Sequence, residues 1–156
     1  MGGSGSGSTT LGAALAARLG STHFDVDDAF WMPTDPPFTT KRPSDERDAM
    51  IRAQLEAKRD WIVSGSVVGW SWPRPDRDID LVVFLFLPAE LRMARIRARE
   101  VAKYGAETLG PGGVMHANSV AFLAWAERYD TAGLEQRSRA THEAWLAACT
   151  SPVLRI

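Results

Sequence analysis

At 156 residues, with 45% hydrophobic and 24% charged side chains, the chain has the make-up of one ordinary globular domain, which excludes a disordered polymer. Its formal net charge of −1 and pI near 6.3 supply no whole-molecule attraction to nucleic acid or an anionic membrane, so neither is an expected partner. The single cysteine, Cys149, excludes an internal disulfide and a multi-thiolate metal centre, and the longest apolar run, Leu81 to Pro88, is far too short to span a bilayer; with no charged-then-apolar leader, a cytoplasmic protein is expected.

The chain opens on Gly2-Gly3-Ser4-Gly5-Ser6-Gly7-Ser8-Thr9-Thr10. This has the spacing of a phosphate-binding loop, G-x-x-x-x-G-K-[ST], with Ser8 where the lysine stands. Glycines there let successive backbone N–H groups converge on phosphate oxygens, and the following helix adds its positive end. The same composition also suits a flexible linker. The next residues favour the phosphate loop: Leu11, Leu15 and Leu19 fall four apart among alanines, predicting a helix from Thr9 to Leu19 that Gly20 stops. A phosphate loop ordinarily hangs from a buried strand, and only Met1 precedes this one.

His23-Phe24-Asp25-Val26-Asp27-Asp28 predicts a short strand whose end carries three carboxylates. They are either functional, since packed like charges need a cation or donor, or Asp27 or Asp28 simply caps a turn through Ala29 to Trp31. Trp31 to Pro43 is a Pro- and Thr-rich loop, long and aromatic enough to be a binding element, with Lys41 and Arg42 as its cations. Ser44 to Arg59 is an expected helix, opened by a serine cap and early acids. Trp61 to Ser66 is an expected buried strand ending in a glycine turn at Gly65, and Pro73 to Arg77 another turn. Asp80 to Pro88 is apolar without alternation, the pattern of a strand buried on both faces of a parallel sheet.

Ala89 to Tyr104 is an expected helix in which Arg95 and Arg99, four apart, share a face with Arg92 on the adjoining row. That face either meets an anion or is simply solvated beside Glu90 and Glu100. Ala106 to Asn118, with Gly110-Pro111-Gly112-Gly113, fits a mobile lid or a plain surface loop. Ser119 to Tyr129 and Leu134 to Ala148 are further expected helices, the second carrying Arg137 and Arg139, and Pro152 to Ile156 a last strand. Strands alternating with helices predict an α/β domain over 1–156.

This order of elements resembles the small P-loop kinases, the adenylate-kinase-like and shikimate-kinase-like P-loop NTPases, over nearly the whole chain. The resemblance implies a three-layer P-loop fold with a mostly parallel sheet whose first strand is missing from these residues, an acceptor-side insertion at about 27–60 and a lid at about 104–118. It implies that Gly2, Gly5, Ser6, Gly7, Ser8, Thr9 and Thr10 hold the nucleotide, with Thr9 a ligand of Mg²⁺. Asp25 and Asp27 match the D-x-D near metal and acceptor hydroxyl, Arg95 and Arg99 the pair on the ATP phosphates, and Arg137, with Arg139, the arginines after the lid. Gly65 matches the turn lining the acceptor site, where Asp28, Lys41 and Arg42 are further candidates. The implied activity is Mg²⁺-dependent transfer of the ATP γ-phosphoryl group to a small hydroxyl or nucleoside monophosphate. Because Ser8 replaces the lysine, a nucleotide-binding module with little or no kinase activity is the alternative. Trp31, Pro36, Phe38, Trp70 and Trp72 are expected to line an apolar pocket or to serve as core.

Overall fold

A computed structural model describes residues 1–156. The elements in chain order are α1 (Ser8–Leu19), β1 (Thr22–Asp25), α2 (Val26–Phe30), α3 (Ser44–Leu55), β2 (Trp61–Ser64), β3 (Val82–Phe84), α4 (Ala89–Tyr104), α5 (Ala106–Leu109), α6 (His116–Glu127), a 3₁₀ turn (Arg128–Asp130), α7 (Arg139–Ala147) and β4 (Val153–Arg155). The chain is therefore mixed α/β, as the alternation of strand and helix patterns predicts.

The strands form two short parallel pairs. Thr22 to Asp25 of β1 run in register with Trp61 to Ser64 of β2, and Val82 to Phe84 of β3 with Val153 to Arg155 of β4. Along β3 the backbone groups alternate between neighbours. The Val82 N–H donates to Pro152 O on the β4 side (2.9 Å), whereas the Leu85 N–H donates to Met1 O (2.8 Å). Met1 and Gly2 thus lie along the other edge of β3, where Gly2 pairs in parallel with Leu85. The first residues of the glycine loop hold the position beside β3.

The expected strand over Asp80 to Pro88 shortens to Val82–Phe84, with pairing beyond it reduced to single contacts, Leu85 to Met1 and Phe86 to Ile156. Helix α3 stops at Leu55, its last buried position, rather than at Arg59. Helix α7 begins at Arg139 rather than Leu134: Ser138 is its N-cap, and its Oγ accepts from the Thr141 N–H. The expected lid contains the short helix α5, and α6 starts at His116, earlier than the expected Ser119.

Apolar burial is divided among three clusters around a central opening. Phe24, Ala29, Ile51, Leu55 and Trp72 pack β1 against α2 and α3. Val82, Phe84 and Leu146 join β3 to α7, and Met93, Ile96 and Ala126 join α4 to α6. Trp72 is core and not pocket wall.

Candidate functional site

The opening between these clusters is a cleft of about 1480 Å³, and the glycine loop, Gly2 to Thr10, forms one of its walls. The loop keeps its shape through glycine and through a buried arginine. Gly5 sits at φ +82°, and a Cβ there would come within 2.6 Å of Arg92 O and 3.0 Å of the Ile96 side chain, so only glycine lets loop and α4 approach this closely. Arg92 is 1% exposed. Its Nε donates to Leu87 O at 3.0 Å, its Nη1 to Ser4 O at 3.5 Å, and its Nη2 to Asp130 Oδ2 at 2.5 Å. Its guanidinium also lies 4.7 Å from the centre of the Tyr129 ring. The charge expected on an anion-binding or solvated face is therefore an internal post joining the loop, the segment after β3 and the turn after α6.

Gly7 is the N-cap of α1, and no side chain caps that end and no acid occupies its first turn. The first N–H groups of α1 are left to the cleft, where the helix dipole favours an anion.

Arg137 comes from the segment before α7. Its Nη2 donates to Ser4 Oγ at 3.1 Å, and its guanidinium lies 4.7 Å from the centre of the Trp125 ring, which stacks on Phe122. Its Nε is buried without a partner. Burial pulls the guanidinium below its ordinary pKa, against the opposing influence of Asp27, Tyr129 and Asp25. Asp27 opens onto the same cleft, yet enough protein surrounds its carboxyl that burial raises its pKa; Arg137 and Arg99 act the other way. Neither Asp27 nor Arg137 closes into a salt bridge. Burial outweighs attraction for both groups, so each charge stands incompletely compensated across the cleft.

Arg95 and Arg99 also line the cleft, both on exposed stretches of α4. Gly65 lines it at φ +102°, where a Cβ would collide with Val26 Cγ2, so glycine is required between β2 and α2. Lys41 is in the cleft, 5.8 Å above the centre of the Phe30 ring, near Trp31, Phe38 and Trp70.

Three expectations shift. Asp25 lines the cleft but is also the N-cap of α2, its Oδ1 accepting from the Asp27 N–H at 3.0 Å. Asp28 and Arg42 are not on the cleft and border a separate hollow with Met32 and Pro33. Arg42 is engaged there with its own backbone, Nε to Ala29 O at 3.0 Å and Nη2 to Trp31 O at 3.3 Å, which ties the end of α2 to the loop. Arg139 points elsewhere, 4.6 Å from the centre of the Phe86 ring.

Sequence reasoning passes over one polar group at this site. His142 on α7 is 0% exposed, with Nδ1 2.8 Å from Tyr129 Oη and Nε2 3.0 Å from Ser66 Oγ, and Ser66 lines the cleft beside Gly65. Burial, with Arg137 and the terminal amine adding to it, lowers the His142 pKa to about 4. Its only signal in the sequence is its place, three residues before Trp145, on the buried side of a helix.

No group of three or more His, Cys, Asp or Glu side chains could hold a metal by itself. The oxygen donors Thr9, Asp25 and Asp27 all border the cleft, and hard cations such as Mg²⁺ need only one or two such groups when phosphates and waters complete the shell. The donor set therefore fits Mg²⁺ arriving with a phosphate ligand. No helix is long and apolar enough to cross a membrane.

No model of a known protein family matches the chain. It is 46% identical over 156 residues, 100% of its own length and 85% of the relative's, to a Bacillus subtilis (strain 168) protein named "Uncharacterized protein YqaC". With its whole length aligned at that identity, the chain belongs to the YqaC family.

Proposed function

We propose that the cleft binds Mg-ATP and that the protein transfers the γ-phosphoryl group to a small hydroxyl compound or nucleoside monophosphate. The two parallel strand pairs, with Met1 and Gly2 along β3, are on this reading parts of one P-loop-type sheet with helices on both faces. The observation that carries the reading is Arg137: a half-buried arginine bonded to Ser4 of the glycine loop, with its Nε buried and unpartnered and Asp27 facing the same space. A buried cation is costly unless an anion completes it, and guanidinium geometry suits phosphate oxygens. Arg137 would then supply the charge that Ser8 does not.

Loop N–H groups and the start of α1 bind the β-phosphate side, and Arg95 and Arg99 offset charge on the transferring group. The acceptor, held near Gly65 and Lys41, aligns its oxygen with the γ-phosphorus. A new oxygen–phosphorus bond forms as the β–γ bridge breaks, and the acceptor's proton passes to Asp27, whose raised pKa makes it a better base. Thr9, with Asp25, would hold Mg²⁺, whose contribution is to neutralise phosphate charge.

Ser8 favours a second reading, a nucleotide-binding module without useful turnover. A lost transition-state contact of that kind costs about 10²–10³ in rate. Calorimetric titration with Mg-ATP, followed by a transfer screen over nucleoside monophosphates and small alcohols, separates the two. Binding with turnover supports the kinase, binding unaffected by any acceptor supports the module, and no binding at millimolar ATP removes both.

A further inference from the structure

The chain Tyr129–His142–Ser66 ends at the cleft, and counting its hydrogens fixes its direction. Tyr129 Oη and His142 are both buried, and the imidazole Nδ1 is the only acceptor that the structure gives the Tyr129 hydroxyl. A buried O–H without an acceptor keeps the full penalty of desolvation, so the hydroxyl donates to Nδ1. A neutral ring accepting at Nδ1 carries its hydrogen on Nε2. Burial and the nearby Arg137 charge keep the ring neutral. The Nε2–H then donates to Ser66 Oγ, which occupies that oxygen as an acceptor. Ser66 forms no other side-chain hydrogen bond, so its own hydrogen is left without a protein acceptor where the residue borders the cleft.

We infer that Ser66 is a ligand-binding residue that donates its hydroxyl hydrogen to a phosphate oxygen in the cleft, and that His142 and Tyr129 are positioning residues that fix this direction. The inference rests on the phosphate-site reading and adds a contact that neither the glycine loop nor the arginines supply. It also adds a neutral, oriented donor to the cleft that Arg137 lines. The opposite chain, Ser66 to Nε2 and Nδ1–H to Tyr129, would strand the Tyr129 hydrogen in the core and turn an acceptor toward the anion, wrong on both counts.

The test joins a spectroscopic readout to a binding one. Nitrogen-15 shifts of His142 in the wild-type protein report which ring nitrogen carries hydrogen, and Nε2–H is expected. Calorimetric titration with magnesium pyrophosphate is expected to show affinity weakened about tenfold in Ser66→Ala and restored in Ser66→Thr. Tyr129→Phe removes the donor that holds Nδ1 as an acceptor and is expected to weaken binding as well. An Nδ1–H ring in the wild-type protein, or unchanged affinity in Ser66→Ala, would overturn this inference and leave the phosphate-site reading standing. Absence of pyrophosphate and ATP binding by the wild-type protein would overturn that reading, and this inference with it. The ring measurement needs no variant, so a Ser66→Ala that failed to fold would still leave the inference open to refutation.

Discussion

Replacing Arg137 by methionine should move stability and ligand affinity in opposite directions. The guanidinium is half-buried with its Nε sealed off and unpartnered, bonds only Ser4 Oγ at 3.1 Å, and has no salt bridge. In the free protein it is a charge removed from water with little in return. Methionine keeps a flexible apolar stem against Trp125 and removes that penalty. A gain of about 1 kcal/mol raises the melting temperature by roughly 2–4 °C for a chain of this length. In the complex the same charge meets phosphate, and a hydrogen bond to a charged group is worth about 1.5–3 kcal/mol, so Mg-ATP affinity should fall about 12- to 150-fold. Thermal denaturation without ligand and calorimetric titration with Mg-ATP read the two effects on one preparation. A variant that melts lower and binds Mg-ATP as well as the wild type would show Arg137 to be a structural arginine and refute the reasoning.

Arg92→Met removes the post that joins the loop to Asp130. Breaking a buried pair costs about 3–5 kcal/mol, and because Asp130 keeps 24% of its side-chain surface exposed the lower end is expected, a fall in melting temperature of roughly 6–12 °C. Gly65→Ala should destabilise by about 1–3 kcal/mol through its left-handed backbone and its clash with Val26; adding Val26→Ala should recover only the steric part, as a denaturant double-mutant cycle would show. His142 has a folded pKa of about 4 against an ordinary 6.5, so the unfolded chain binds more protons between those values. Its contribution is intact above pH 6.5 and lost as pH falls toward 4, about 3 kcal/mol in all, and urea melts of His142→Gln should lack that slope. Asp27 is the reverse case. With its folded pKa raised, its contribution is present at low pH and lost as pH rises through that value, so Asp27→Asn should be more stable than the wild type at neutral pH by thermal melting.

Much of the cleft is legible in the sequence because it rests on local chemistry. The spacing from Gly2 to Thr9 and the helix behind it, the glycine after β2 and the four-residue spacing of Arg95 and Arg99 each need only neighbouring residues, and all reach one cleft. The features that escape depend on long-range partners. Arg92 differs from Arg95 only by the face of α4 it occupies, and that face is buried because Asp130 and the loop meet it there. His142 matters through Tyr129, on the preceding turn, and Ser66, far away in sequence. Arg42 has the chemistry of a ligand group but satisfies backbone at the end of α2, a demand that the loop's fold creates and its composition does not reveal, whereas the Asp25 cap is a local contact two residues along. The shortness of β3 likewise comes from its neighbours, not from its own apolar run.

Every role proposed for the cleft depends on the glycine loop and Arg137 together forming a nucleotide phosphate site. Isothermal titration of the wild-type protein with ATP and Mg²⁺ tests that site most directly. Saturable binding at one site per chain, weakened in Arg137→Met, is the predicted result, while no heat of binding at millimolar ATP would contradict it.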